Sequence, residues 1–361
     1  MSLETFKQKA KELVEQLDNP ASIRTPGRTW TRYPELSVAE KDDAFEPEIK
    51  AKGEIEVKTG AEAFEAAEEK FMELLEVDEN KLNAVHVANL NSVIYIRAEG
   101  RAEVSIKYRA ESDLFNHLVV ETEESAELQI TESFEGSAEN VTSFDEFYLS
   151  ENSTVNYGCV QSMNAEFIYS RKKAVLEDYS KINWLNSSFG GQLARTKIET
   201  ILKGDGTETE KLATWYPTGQ QHIDTSLHVR HMGENTKCQM DSRAVVDGEA
   251  RSVYEGLQKV EEVAEDTSSF QDEEVLVLSD KAEVDASPKL MIENPDVEAS
   301  HAASTGSIDD KKQHYIQSRG LDDNAAEKLI VKGFFEPVLQ EIELPELKEK
   351  VRRQVRKKLK E

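Results

Sequence analysis

Apolar and polar residues alternate in a long succession of short segments that begins near Leu82 and continues to Leu257. A period of two is typical of a β-strand with one buried face. No proline occurs between Pro47 and Pro217, as expected where nearly every backbone N–H joins a sheet. The sequence therefore predicts a mainly β body. The first alternating pairs are Val85/Val87, Val93/Tyr95, Val104/Ile106, Leu118/Val120 and Leu128/Ile130, and the last are Leu227/Val229, Cys238/Met240 and Val253/Leu257.

Short strands separated by Gly, Asn, Ser or Asp are compatible with a sandwich, a barrel or a stacked β-solenoid. Tight hairpin signals are few, the main ones being Asp205-Gly206 and Asp247-Gly248. The strands also continue for roughly 200 residues, longer than one sandwich usually runs. The pattern alone gives the solenoid a modest advantage over the other two architectures.

Helical patterns precede the strands. Apolar residues at spacings of three and four predict an N-terminal helix over residues 1–18. A second helix is expected from Ala61 to Leu75, and the proline-containing stretch 19–57 reads as an irregular connection. We assign residues 1–80 to a helical region and residues 81–306 to the β core.

A C-terminal helical domain, 307–361, is predicted after the core. Ser307 with Asp310 is typical of a helix start, and Gly320 of a helix end. The last helix opens at Pro345 and is strongly basic, with a net charge of +6 over residues 348–361. Between these helices lies an apolar cluster, predicted to bind a partner because buried aromatic residues carry most interface energy. Its members are Phe334, Phe335, Val338 and Leu339.

Composition excludes several function classes. The net charge of −27 argues against a nucleic-acid binder, since phosphates would be repelled. No apolar run approaches the length of a membrane span, and the chain starts without an apolar leader, so we expect a cytoplasmic protein. The 2 cysteines, Cys159 and Cys238, lie far apart in the sequence, which argues against a disulfide framework and a self-contained iron–sulfur site.

Histidines are the remaining candidates for chemistry. His301 lies on an apolar row, where a lone histidine is usually a buried residue satisfied by a backbone carbonyl. His222, His228 and His231 lie close in sequence, but their spacing on a strand does not bring all three to one face. Structural or interface roles are favoured for these three. No Walker loop, GxGxxG, GxSxG or HExxH motif occurs.

Several blocks of the sequence resemble the SufB/SufD family of iron–sulfur cluster assembly proteins, and its SufD branch in particular. The blocks are QHID (221–224), VDGEAR (246–251), YEGL (254–257), LVLSDKAEVDASPKLMIENPDVEASHAASTGSIDD (276–310), QSRGL (317–321) and LIVKGFFEPVL (329–339). The resemblance implies a right-handed parallel β-helix. It also implies a non-enzymatic scaffold that contacts a SufB-like chain through the end of the β-helix and the ABC-type ATPase SufC through the helical tail.

The resemblance gives His301 a role in cluster assembly or iron entry, as a metal ligand or proton relay. SufB-like chains carry a catalytic cysteine and a glutamate at the positions of Ala282 and Ala302, which favours a SufD-like chain. A transient cluster or iron would then be shared with the SufB-like partner, and this chain alone would hold no cofactor. Two alternatives stay open: a homodimeric SufB/SufD-type scaffold in a minimal system with SufC, and a β-helix carbohydrate-active enzyme.

Overall fold

A computed structural model describes residues 2–20, 24–25, 28–29, 31–38, 44–342 and 344–360. The chain forms a parallel β-solenoid of about 8 turns, with helices packed at its ends and sides. In chain order the elements are α1 (Leu3–Val14), β1 (Arg24–Thr25), β2 (Arg28–Thr29), β3 (Glu48–Thr59), α2 (Gly60–Ala66), α3 (Lys81–Ala88), β4 (Ser92–Ala110), β5 (Leu114–Thr122), β6 (Glu127–Leu149), β7 (Thr154–Gln161), β8 (Asn164–Leu176), β9 (Lys181–Ser188), β10 (Leu193–Leu202), β11 (Glu208–Trp215), β12 (His222–His231), β13 (Lys237–Val246), β14 (Arg251–Val260), β15 (Thr267–Val277), β16 (Glu283–Ile292), β17 (Val297–Ser307), α4 (Asp310–Gln317), α5 (Asp323–Glu341) and α6 (Pro345–Lys358). The predicted β-solenoid is confirmed.

Strands that alternate along the chain stack into two parallel sheets. Sheet one runs from the second half of β4 (101–110) through the first half of β6 to β7, β9, β11, β13, β15 and β17. Sheet two runs from the first half of β4 (92–98) through β5 and the second half of β6 to β8, β10, β12, β14 and β16. Side chains stacked on neighbouring turns are 27, 29 or 31 residues apart in sequence. Each turn therefore places its backbone N–H and C=O groups against those of the next turn.

One corner of the solenoid repeats a local motif. A residue with positive φ turns the chain, and the next residue is a buried serine or threonine. In four of these turns the hydroxyl donates to the carbonyl oxygen three residues earlier, at 2.5–3.1 Å. The bond satisfies a carbonyl that the sharp bend removes from the sheet. The pairs are Asn152-Ser153, Tyr179-Ser180, Gly206-Thr207, Asn235-Thr236 and Asp266-Thr267.

The N-terminal elements cover the first turns. Helices α1, α2 and α3 pack on the outer face of sheet two, while β3 pairs antiparallel with β4. The carboxylate of Glu146 fixes this arrangement by accepting the backbone N–H groups of Met72, Leu74 and Leu75 at 2.6–3.1 Å. His117 contacts the same carboxylate at 2.9 Å. These contacts join the segment after α2 to the solenoid wall.

Several local predictions were wrong. Helix α2 ends at Ala66 rather than Leu75. Ser307 belongs to β17, and Asp309 caps α4 instead. Val85 and Val87 lie on α3 and not on a strand. Every residue from Leu82 to Ala88 is buried, so the segment lacks the one-sided apolar pattern that identifies a helix. Residues 48–57, expected to be irregular, belong to β3, whose charged and largely exposed side chains give little apolar alternation. No helix in the described ranges is long and apolar enough to span a bilayer.

The C-terminal helices cover the outer face of sheet one. An apolar stripe on α6 and the buried side of α5 pack against Val160, Leu185, Leu212 and Val245. Helix α6 lies close to sheet one at Gly158, where a Cβ would stand 2.1 Å from a methyl carbon of Leu347.

We expect Gly158→Ala to destabilise the packing of α6. The added methyl overlaps Leu347 and lies 3.0 Å from Leu344, so α6 must shift, at a cost of about 1–3 kcal/mol. Thermal unfolding and hydrogen exchange of residues 345–358 measure the effect. Gly306→Ala is the matched control, since a Cβ there meets nothing within 4 Å. Equal melting temperatures for both variants would contradict this packing.

Candidate functional site at the open end of the solenoid

The last turn of the solenoid, β16 and β17, has no layer over it in the described part of the chain. Within the described ranges, β16 pairs only with β14, and β17 only with β15. Residues Met291 and Ile292 at the end of β16 are 49% and 44% exposed. Two strand edges with free hydrogen-bonding groups and large apolar side chains therefore meet at this end.

His301 lies on β17 at this open end. Its register partner on β15 is Gln271, a buried residue in the row that faces the solenoid interior. The row continues onto β17 as Ala299, His301 and Ala303. His301 is exposed because no further turn lies over it. The interpretation of His301 as a buried, satisfied histidine is therefore wrong.

No metal site is complete at His301. The described residues contain no group of three or more His, Cys, Asp or Glu side chains arranged to hold a metal ion. His301 offers one imidazole to solvent, and a cluster or iron at this position would need its other ligands from a second molecule.

Beneath the open end, the interior is polar. Gln271 donates to the hydroxyl of Tyr254 at 3.2 Å. The side-chain oxygens of Gln258, Gln271 and Glu273 are buried and receive no hydrogen bond from the protein. Burial raises the pKa of Glu273 to about 8, and the nearby charges of Asp285 and Asp272 act in the same direction. Glu273 therefore carries its proton at neutral pH.

A second buried polar group lies nearer the N-terminal end. The ammonium of Lys172 contacts Asp145 and lies 3.7 Å from Glu132. The hydroxyl of Tyr108 donates to Glu132 at 2.8 Å, and that of Tyr157 contacts Glu132 and, at 3.1 Å, Asp145. Burial and the charge of Asp145 raise the pKa of Glu132 to about 8, although Lys172 opposes the shift. With Glu132 protonated, Lys172 and Asp145 balance each other.

Sequence patterns could have indicated this polar interior. On β15 the inward positions 267, 269, 271 and 273 carry Thr, Ser, Gln and Glu, so the period of two persists in polar residues. An analysis that scores only apolar alternation does not detect it.

The three clustered histidines do not converge. His231 faces the interior and contacts Thr236 and Ser269 at 2.8 and 2.9 Å. His228 is half-buried and contacts Glu255 at 2.8 Å. His222 lies 3.5 Å from the hydroxyl of Thr31. Each has its own partner.

The predicted partner-binding cluster is largely covered by this chain. Phe335, Val338 and Leu339 are buried against sheet one. Phe334 is half-buried, with the guanidinium of Arg243 5.5 Å from its ring centre. Only Phe334 of the four retains surface for a partner. The exposed apolar side chains of this region are Tyr315 (59%), Leu321 (39%) and Leu329 (50%).

Comparison with known proteins identifies the family. Residues 104–334, more than half of the chain, match the domain described as "SUF system FeS cluster assembly, SufBD core domain". The chain is 30% identical over 332 residues to the iron-sulfur cluster assembly protein SufD of Bacillus subtilis, covering 87% of this chain and 76% of the relative. The chain belongs to the SufBD family.

Other SufBD family relatives share a shorter part of their length. A chloroplastic protein of Arabidopsis thaliana is 26% identical over 55% of this chain, and the match spans 37% of that protein. A protein of Mycobacterium leprae is 27% identical over 50% of this chain and 48% of its own length. For these two, the chain spans about half of the relative or less.

Neither cysteine of this chain can act as a thiolate at the open end. Cys159 and Cys238 are buried, and burial raises the pKa of each thiol to about 12. Neither is a thiolate at neutral pH, the form that binds metals and accepts sulfur. Ala302 pairs in register with Asp272, and Ala282 packs half-buried in the turn before β16.

Glu273→Gln should remove a pH dependence of stability. Between pH 4.5 and about 8, the folded protein keeps the proton of Glu273 while the unfolded chain loses it. The free energy of unfolding of the wild type should therefore fall as pH rises through this interval, by an amount on the order of 2–4 kcal/mol. Glutamine stays neutral and avoids this loss.

Denaturant unfolding at pH 5.5 and pH 8 measures the difference. The exposed Glu298→Gln variant, on β17, serves as the control and should follow the wild type. A Glu273→Gln variant with the same pH dependence as the wild type would show that Glu273 is ionised in the folded protein.

Proposed function

We propose that the chain is the SufD-like scaffold subunit of a SufBCD-type complex that assembles iron–sulfur clusters. The free edge of β17 carries this proposal. Residues 299–306 of β17 contain no charged residue, no proline and no bulge, whereas exposed edges are usually protected by such features. An unprotected edge next to the exposed Met291 and Ile292 suits pairing with another strand.

A SufB-like chain is the proposed occupant of this end. Of the two edges, β16 contains Pro288, which lacks an N–H donor, so β17 offers the more complete ladder. A second solenoid paired along β17 would place its own groups beside His301. The transient cluster or iron would then be shared between the chains, with His301 as this chain's contribution.

A second copy of the chain could occupy the same edge, giving the homodimeric alternative. That arrangement brings together two copies of His301 without an accessible thiol, since both cysteines are buried. Imidazoles alone are poor ligands for an iron–sulfur cluster. The heterodimer is therefore favoured.

A carbohydrate-active enzyme is not supported. Such enzymes need a pair of accessible carboxyl groups on either side of the scissile bond. Glu132 and Glu273, the two carboxyl groups whose pKa is raised to about 8, lie inside the solenoid and are 0% exposed. A polysaccharide cannot reach them.

His301→Ala should cut cluster assembly without changing stability. The side chain is exposed, so its loss should alter the free energy of unfolding by less than about 0.5 kcal/mol. Cluster formation is followed by visible absorption, with iron and sulfide analysis, in the complex with SufB-like and SufC-like partners. Ser300→Ala is the control, since Ser300 is the exposed neighbour in the opposite row. Full assembly by His301→Ala would refute the role of His301.

The proposed contact with the SufC-like ATPase lies on the exposed side of α4 and α5. Helix α4 has no buried residue, and Tyr315, Leu321 and Leu329 stand exposed around it and the start of α5. Phe334 extends this surface on α5. The basic residues Arg353 and Lys357 of α6 are exposed and suit salt-sensitive attraction of an acidic partner.

Leu329→Asp and Phe334→Asp should each weaken ATPase binding at any salt concentration, because each puts a charge into an apolar contact. Arg353→Gln with Lys357→Gln should weaken binding mainly at low ionic strength. Val263→Asp, at a site 67% exposed on the solenoid, is the control. Affinities from titration calorimetry test this, and unchanged binding by Leu329→Asp and Phe334→Asp would place the ATPase elsewhere.

A further inference from the structure

A cleft of about 660 Å³ lies between β3 and the start of α6. Its floor is the outer face of β4 and β6 near the first turns of the solenoid, where Ser105, Gln129 and Thr131 present polar groups. Residues Leu344 and Leu347 form the wall on the side of α6. The volume falls in the usual range for small-molecule sites.

Lysines gather around this cleft. Lys50, Lys52 and Lys107 line it, and Lys350 on α6 lies close enough to Lys107 for their charges to interact. Lys50 pairs with Glu48 at 3.1 Å. The other three form no ion pair within 4.0 Å among the described residues. Burial and the charge of Lys107 lower the pKa of Lys350, although Glu135 and Glu346 oppose the shift.

The acidic groups near the cleft do not neutralise these lysines. Glu103 and Glu346 line the cleft but are exposed, so water screens their charges. Glu48 also attracts Lys107 and Glu135 attracts Lys350, but Glu48 pairs with Lys50 at 3.1 Å and Glu135 with Arg353 at 3.5 Å. Lys107 and Lys350 are half-buried, where an opposite charge interacts more strongly. An anion within reach of Lys107 and Lys350 would therefore form a closer ion pair than any of these four carboxylates provides.

We propose that the cleft between β3 and α6 binds a small ligand with two or more anionic groups, held by Lys52, Lys107 and Lys350. The hydroxyls of Ser105 and Thr131 and the amide of Gln129 supply hydrogen-bond donors on the floor. Lysine ammonium groups bind phosphates and carboxylates alike as point charges, so the shared chemistry is a multivalent oxyanion. Walls on both sides suit a compact ligand rather than a long polymer.

The test is titration calorimetry of the full chain with inorganic pyrophosphate and, separately, with citrate at low ionic strength. We expect one site per chain. The double variant Lys107→Gln/Lys350→Gln should bind at least about tenfold more weakly, because two charge-assisted contacts are lost. Glu346→Gln should bind more tightly, since it removes a repulsive charge. The tighter of the two probes separates a phosphate ligand from a carboxylate ligand.

Lys58→Gln is the matched control, because Lys58 lies on the same strand but outside the cleft and pairs with Glu56 at 2.9 Å. Its affinity should equal that of the wild type. The proposal fails if neither probe gives a one-site isotherm. It fails equally if the double variant and Lys58→Gln bind the probes with the same affinity. Melting temperatures of the variants verify that each is folded.

Discussion

The parallel hydrogen-bond ladder between successive turns is the interaction on which the rest of this molecule depends. Each turn satisfies its backbone groups only against the turns before and after it. The corner motif aligns those turns, because a positive-φ residue followed by a buried hydroxyl recurs in five successive turns. A solenoid of this kind has two ends that need covering. β3 covers the first turn, and nothing in the described chain covers β16 and β17.

The interior shows how the fold tolerates polar groups far from water. Lys172, Asp145 and Glu132 form a neutral set with the hydroxyls of Tyr108 and Tyr157. Glu273 has no such partner and lies one turn below the open end. Removing a charge from water is costly unless it is paired, so Glu273 remains protonated. The polar character of the interior thus extends to the region where a partner is proposed to bind.

Alternation and helix caps are local signals, so they predicted the β body and the helical ends. The family came from blocks of sequence that resemble SufB/SufD proteins, and that resemblance favoured the solenoid over a sandwich or barrel. The sequence could not predict that α3 is a helix, since Val85 and Val87 lie in a segment buried on every side. The exposure of His301 depends on the absence of a further turn, which no local pattern encodes. Similarly, Phe335, Val338 and Leu339 are ordinary apolar residues in sequence, and only the packed structure shows that the solenoid itself covers them.

The central claim is that a partner strand completes the solenoid at β17. Hydrogen exchange of the amides in residues 283–307, measured with and without the SufB-like protein, tests it most directly. The account predicts fast exchange on β17 in the isolated chain and strong protection on β17 when the partner is added, with little change on β11. Exchange on β17 that stays unchanged in a complex shown to have formed would contradict the account.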